Sequence, residues 1–269
     1  MSAVTVASLH VYPLKSGRGH AVSHAAVDEL GIVGDRRFLV VDASGRFLTQ
    51  RDTPRLALIT SACQPDSRIT LAAPDQRPIS VATAAPASPV REVTIWQDVV
   101  RAVDLGEEAA RWLSDVLARP ARLVAIGPAF SRPLRRPTAN PSDRIAFTDA
   151  APMLVISEES LADLNDRLDF PLPMSRFRPN IVLRGAAAFA EDRWKRIRVG
   201  GVVLRAAGGC ARCVITTTDQ ETLARDDEPL RTLAGFRRGP TGEVFFGQNY
   251  IHETKQGMMN VGDMVEIVD

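Results

Sequence analysis

The amino-acid sequence predicts a mainly β protein with a few helices, organised as two β-barrel-like units. Three observations carry this reading. Short runs of β-branched or alternating apolar residues, bounded by Gly, Pro, Asn and Asp, recur along the whole chain. Helical periodicity is confined to two segments. The stretch 128–143 holds Pro128, Pro133, Pro137 and Pro141 and no periodicity, so it separates a first unit, 1–127, from a second, 144–269.

The first strand carries Val4, Val6, Leu9 and Val11 and ends at Tyr12-Pro13, where proline removes a ladder donor. Hairpins follow: 37–41 with 46–50 around Asp42-Ala43-Ser44-Gly45, then 68–71 with 79–81 around a Pro74-Asp75 turn, then 93–96 with 99–103. A helix from Glu107 to Leu117 places Ala110, Trp112, Leu113 and Leu117 on one side, and a strand covers 122–126. The second unit opens on the apolar strand Met153-Leu154-Val155-Ile156. Ser157 is a good N-cap for the next helix, Glu158 and Glu159 suit its positive end, and Leu161, Leu164 and Leu168 give it an apolar face. Strands are then expected at 181–183, at 197–199 and 202–204 around Gly200-Gly201, and at 214–218, 244–246 and 264–268.

Composition excludes several classes of function. The 269 residues carry 33 basic and 32 acidic side chains, a net charge of +1, which gives no global reason to bind nucleic acid or an anionic membrane. No apolar run approaches the roughly 18–20 residues of a membrane span, and Met1 to Lys15 lacks the pattern of a signal peptide. Three cysteines cannot form a fully paired disulfide framework, so a reducing, cytoplasmic setting is expected.

The sharpest local motif is Cys210-Ala211-Arg212-Cys213. A zinc site would need a second ligand pair, which Cys63 and the scattered His10, His20, His24 and His252 do not form. A thioredoxin-like pair belongs at a helix N-terminus, whereas the β-branched run from Val214 to Thr218 predicts a strand. One reactive or metal-ligating thiolate beside Arg212 and two small core residues both stay open on spacing alone. Lys15-Ser16-Gly17 and Gly34-Asp35-Arg36-Arg37 offer an ammonium, a hydroxyl and guanidinium forks to an anion, without P-loop spacing. Arg132, Arg135 and Arg136 form either a basic patch or part of a solvated linker.

Taken in order, these pieces resemble proteins with an N-terminal β-barrel domain followed by a molybdenum cofactor sulfurase C-terminal (MOSC) domain. The matching segments are Tyr12-Pro13-Leu14-Lys15-Ser16, Gly34-Asp35-Arg36-Arg37-Phe38 and Pro54-Arg55-Leu56, then Ser157 to Asn165 and Phe177-Arg178-Pro179-Asn180. Cys210 to Cys213, Thr216-Thr217-Thr218-Asp219, Phe246-Gly247-Gln248-Asn249 and Val261-Gly262-Asp263 complete the series. Within the family the chain is similar to the mitochondrial amidoxime-reducing component and its bacterial counterparts. The resemblance implies an N-terminal barrel at 1–127, a linker at 128–143 and a MOSC domain at 144–269.

It further implies a molybdenum-molybdopterin cofactor and reduction of small N-hydroxylated substrates: hydroxylamines, amidoximes or N-hydroxylated bases. Cys213 matches the metal-ligating, catalytic cysteine. Lys15, Ser16 and Arg36 match residues that hold the cofactor phosphate, while Asp149, Arg178, Arg212 and Asn249 fall around the pterin and metal. Cys63 is left as a packing residue. Two departures stand out: Leu223 replaces a glycine common in relatives, and no cysteine-rich ferredoxin module follows Val261-Gly262-Asp263. Electrons are therefore expected from a separate flavin, haem or iron–sulfur protein. The alternative is a sulfur carrier or cofactor-delivery module without turnover of its own, and a cofactor-free interaction protein ranks last.

Overall fold

The computed structural model describes residues 3–83 and 88–268. In the first half the strands are β1 (Thr5–Val11), β2 (His20–Val22), β3 (His24–Asp28), β4 (Gly31–Ile32), β5 (Phe38–Val41) and β6 (Thr60–Gln64). They continue as β7 (Arg68–Ala72), β8 (Ile79–Ala82), β9 (Val90–Ile95) and β10 (Asp98–Asp104), before helix α1 (Glu107–Leu117) and β11 (Arg122–Ala125). The second half has β12 (Met153–Ser157), α2 (Glu158–Asn165), β13 (Ile181–Arg184), β14 (Arg196–Val199) and β15 (Val202–Ala211). It ends with α3 (Leu230–Phe236), β16 (Phe245–His252), β17 (Gly257–Asn260) and β18 (Val265–Ile267). The mainly β reading holds, and α1 and α2 fall where periodicity and capping place them. The Ser157 hydroxyl accepts the Ser160 N–H, as an N-cap should.

The halves interlock. An eight-stranded sheet runs β18-β14-β15-β16-β12-β13-β1-β2, so the first strand of the chain completes a sheet built from the second half. Leu9 pairs with Ile181 and Val6 with Leu183, which turns both apolar side chains into a core with Ile197, Leu204 and Tyr250. Strand β3 likewise pairs with β17. The first half keeps its own sheets, β5-β11-β10-β9 and β6-β7-β8, whose core with α1 centres on Phe38, Ile69, Trp112 and Leu113.

Four expectations need correction. Residues 46–50 form no full hairpin arm, only bridges such as Val41 to Phe47. The run Val214–Thr217 is a single 3-10 turn, not a strand. Its threonines explain the change: the Thr216 and Thr217 hydroxyls donate back to the carbonyls of Cys213 and Val214, each at 2.9 Å, which satisfies those acceptors inside a turn. Cys63 is exposed on β6, not packed. The arginines of segment 128–143 form no free basic patch, and Arg132 is not solvated. Arg132 is 2% exposed, and its guanidinium donates to Asp98 Oδ2 (2.8 Å) and to the carbonyls of Ala146 and Thr148, while Arg135 takes the other Asp98 oxygen. Among the described residues no helix is long and apolar enough to cross a membrane.

Candidate functional site

Where β1 ends, the chain turns at Tyr12-Pro13 and zips onto the segment before β5. Arg36 N–H donates to Tyr12 O at 2.8 Å, Phe38 N–H to Pro13 O at 3.0 Å and Lys15 N–H to Phe38 O at 2.9 Å. The buried Asp35 carboxylate accepts Tyr12 N–H at 2.9 Å and holds Arg36 Nη1 through both oxygens. This double turn brings Lys15, Ser16 and Arg36 side by side. It does so with left-handed backbone at two non-glycine residues, Ser16 (φ 64°) and Arg36 (φ 47°), and Arg178 opposite them shares that conformation (φ 56°). Such torsions cost energy and persist where the surroundings enforce them, a pattern that clusters at functional sites.

The turns face a cavity of about 190 Å³ whose far wall is the Cys210–Cys213 segment. The residues that the family resemblance placed around a cofactor all line it: Lys15, Ser16, Arg36, Asp149, Arg178, Arg212, Cys213 and Asn249. The Arg36 and Arg178 guanidinium groups both lie against the Tyr12 ring, 4.2 and 4.4 Å from its centroid. Burial pushes the Tyr12 phenol up to about 12 against the pull of those two arginines, so it stays protonated and donates to Pro179 O at 3.0 Å. Burial also brings the Arg178 pKa down to about 10, with Arg36 adding to the effect, while its Nη1 donates to Gly17 O at 2.6 Å.

Lys15 is buried and donates to Phe147 O at 2.7 Å and to the Asp149 carboxylate. Burial lowers its pKa to about 8, with Asp149 pulling the other way. Asp149 stays well below the usual carboxylate range. Burial works against its charge, but Lys15, Arg51 and the Trp96 indole N–H outweigh that effect.

At the thiol end, the two cysteines have different arginines. Arg212 Nη1 donates to Cys210 Sγ at 2.9 Å and Nη2 to Phe177 O at 2.6 Å, so the neighbour in sequence does not serve Cys213. Arg51 does, with Nη2 at 3.4 Å from Cys213 Sγ and 3.7 Å from Asp149 Oδ2. Sequence reasoning missed Arg51, and also Arg176, Thr148 and Trp96; no local pattern marks them. Asn249, on β16, donates to Gly209 O at 3.2 Å and so steadies the strand that carries the cysteine segment.

The cavity's chemistry is that of an anion receptor with two half-buried thiols on its wall, Cys210 held by Arg212 and Cys213 by Arg51. Arg51 Nη1, Arg176 Nε, Arg212 Nε and Thr148 Oγ1 are buried on its wall without a hydrogen-bond partner among the described residues. Buried donors of this kind are paired in most proteins, so the set fits a ligand rich in acceptor atoms. Among the described residues no three His, Cys, Asp or Glu side chains converge to hold a metal. A metal at Cys213 would take its other ligands from an organic group bound in the same cavity.

Residues 3–120 match the MOSC N-terminal beta barrel domain and residues 142–266 match the MOSC domain. The chain is 36% identical over 280 residues to mitochondrial amidoxime-reducing component 1 of Mus musculus, covering 98% of this chain and 82% of that protein. It is 36% identical to the Homo sapiens component 1, covering 98% and 83% of the two chains, and 34% identical to the human component 2, covering 97% and 82%. With the two domains in that order and similarity over nearly its full length, the chain belongs to the MOSC-domain family that includes the mitochondrial amidoxime-reducing components.

Proposed function

We propose that this protein is a molybdenum cofactor-dependent oxidoreductase that reduces small N-hydroxylated compounds with electrons from a separate redox protein. The relatives' names carry the activity, and one observation supports the cofactor: the Cys210–Cys213 segment, with Cys213 held by Arg51, faces the basic turns Lys15-Ser16 and Arg36 across a cavity lined by unpartnered donors. Lys15, Ser16 and Arg36 would hold the cofactor phosphate, Arg178, Arg212 and Asn249 would flank the pterin, and Cys213 would ligate the metal. The cofactor supplies the two-electron chemistry that cleaves an N–O bond.

Within this scheme the chain's own residues position and exclude. Asp149, kept ionised, fixes the Lys15 ammonium beneath the phosphate position. Arg51 restrains the Cys213 side chain, and the 3-10 turn after it fixes its backbone. Net reduction consumes two electrons and two protons and releases water with the amine from a hydroxylamine or the amidine from an amidoxime. We place the protein in the cytoplasm, where its three free cysteines would stay reduced.

The test is metal analysis of protein made in a host able to build the cofactor, with Cys213→Ser in parallel. Molybdenum near one per chain in wild type and its loss in the variant are expected. Wild type without molybdenum, or a variant that retains it fully, overturns the reading. Turnover of an amidoxime with a chemical electron donor then separates a reductase from a carrier, which would show none.

A further inference from the structure

Trp96, hydrogen-bonded to the cavity residue Asp149, is a feature that an anionic cofactor does not account for. Ile95 pairs with Asp98, so Trp96 and Gln97 make a two-residue turn between β9 and β10. The first turn residue has φ 55°, a conformation that hairpins usually give to glycine or asparagine because a Cβ is disfavoured there. A bulky aromatic held in this strained position, and 48% exposed, points to use of its ring. The ring is oriented from several sides. Its N–H donates to Asp149 Oδ1 at 3.0 Å, the Arg51 guanidinium lies 4.8 Å from the ring and Phe47 packs at 5.1 Å.

A second cavity, of about 490 Å³, lies against Trp96 and adjoins the first, because Asp149 and Ala150 line both. Arg135 and Arg136 stand on its other side with Asp98, which pairs with Arg135, so the lining carries both signs and gives a charged guest no one-sided pull. We propose that this cavity is the substrate site and that Trp96 is its specificity-determining wall. A neutral, planar aromatic N-hydroxylated compound packs its ring on the indole and directs its N–OH group across Asp149 towards Cys213. Stacking rewards a flat ring over an alkyl chain of similar polarity. This rests on the reductase reading above, and its test keeps the two apart.

Trp112 and Trp194 are buried, so solvent-exposed tryptophan emission reports on Trp96. Benzamidoxime should quench that emission saturably, while acetamidoxime should not. Trp96→Gly, which gives the turn its preferred residue and so keeps the fold, should raise the KM for benzamidoxime about fivefold relative to that for acetamidoxime. Trp96→Phe should recover most of the discrimination. Absence of saturable quenching, or an unchanged KM ratio in an active Trp96→Gly enzyme, overturns the proposal. Wild type that reduces neither compound yet binds benzamidoxime by calorimetry, with affinity lost in Trp96→Gly, overturns the reductase reading and retains the site.

Discussion

Arg51 Nη2 stands 3.4 Å from Cys213 Sγ, although 162 residues separate them in the chain. The same guanidinium lies 3.7 Å from Asp149 Oδ2 and 4.8 Å from the Trp96 ring, so one planar fork ties the thiol to the carboxylate and the aromatic wall. A charged hydrogen bond of this kind is worth about 1.5–3 kcal/mol. Arg51→Ala should therefore lower kcat at least about tenfold and reduce molybdenum per chain. Arg51→Lys should rescue little, since a point charge cannot meet three partners arranged around a plane. Steady-state rates and metal content of the two variants check this, and wild-type values in Arg51→Ala would refute it.

Lys15 should make anion binding pH-dependent. Burial brings its pKa to about 8, Asp149 opposes that fall, and Arg132 and Arg36 reinforce it. Below about 8 the ammonium is charged and supports an anion; above it the proton leaves and the attraction goes. Sulfate, whose charge is constant over this range, should bind several-fold more weakly at pH 9 than at pH 7 by calorimetry. Lys15→Met should bind it weakly at both, with a flat profile. An equal slope in the variant would assign the titration to another group.

How far the sequence reached depends on how local each cause is. The Ser157 cap and the α1 boundaries were legible because capping and helical spacing act within a few residues. The turn after Cys213 was not. The β-branched run Val214 to Thr218 read as a strand, and hydroxyl bonds back to Cys213 and Val214 turn its first four residues. The lining residues Lys15, Arg36 and Cys213 were legible through collinear motifs, whereas Arg51 and Trp96 reach the site through pairings spread over the whole first half. The proline-rich stretch misled for the same reason: Arg132 packs because Asp98, 34 residues earlier, meets it.

Arg132 makes that stretch a support for the site. Its bonds to Ala146 O and Thr148 O hold the segment that presents Asp149, and its ion pair with Asp98 is buried on both sides. Removing Arg132 leaves Asp98 with Arg135 alone and frees the two carbonyls. Arg132→Met should cost about 1.5–3 kcal/mol in urea unfolding. Loosening of the 146–149 segment should also weaken sulfate binding at pH 7. A variant with wild-type stability would show that the pair contributes nothing net.

Asp104, at the end of β10, gives the fold an acid limit with a definite sign. Burial works to raise its pKa, yet hydrogen bonds from Arg122, the Gly106 N–H and Arg91 outweigh it and hold the group below its ordinary 3.8. The folded state therefore binds this proton less readily than the unfolded chain. Its contribution is complete above about pH 5 and is lost as the pH falls through 3.8 towards the folded value. Asp104→Asn should be destabilised by about 1–3 kcal/mol at pH 7, since a charged acceptor of two arginines is gone. The gap to wild type should narrow steadily as the pH falls from 5 to 3, because the unfolded wild-type chain then takes up a proton that the folded state binds less readily. Urea unfolding of both proteins across that range decides it: a constant gap would mean that Asp104 acts through its shape and not its charge.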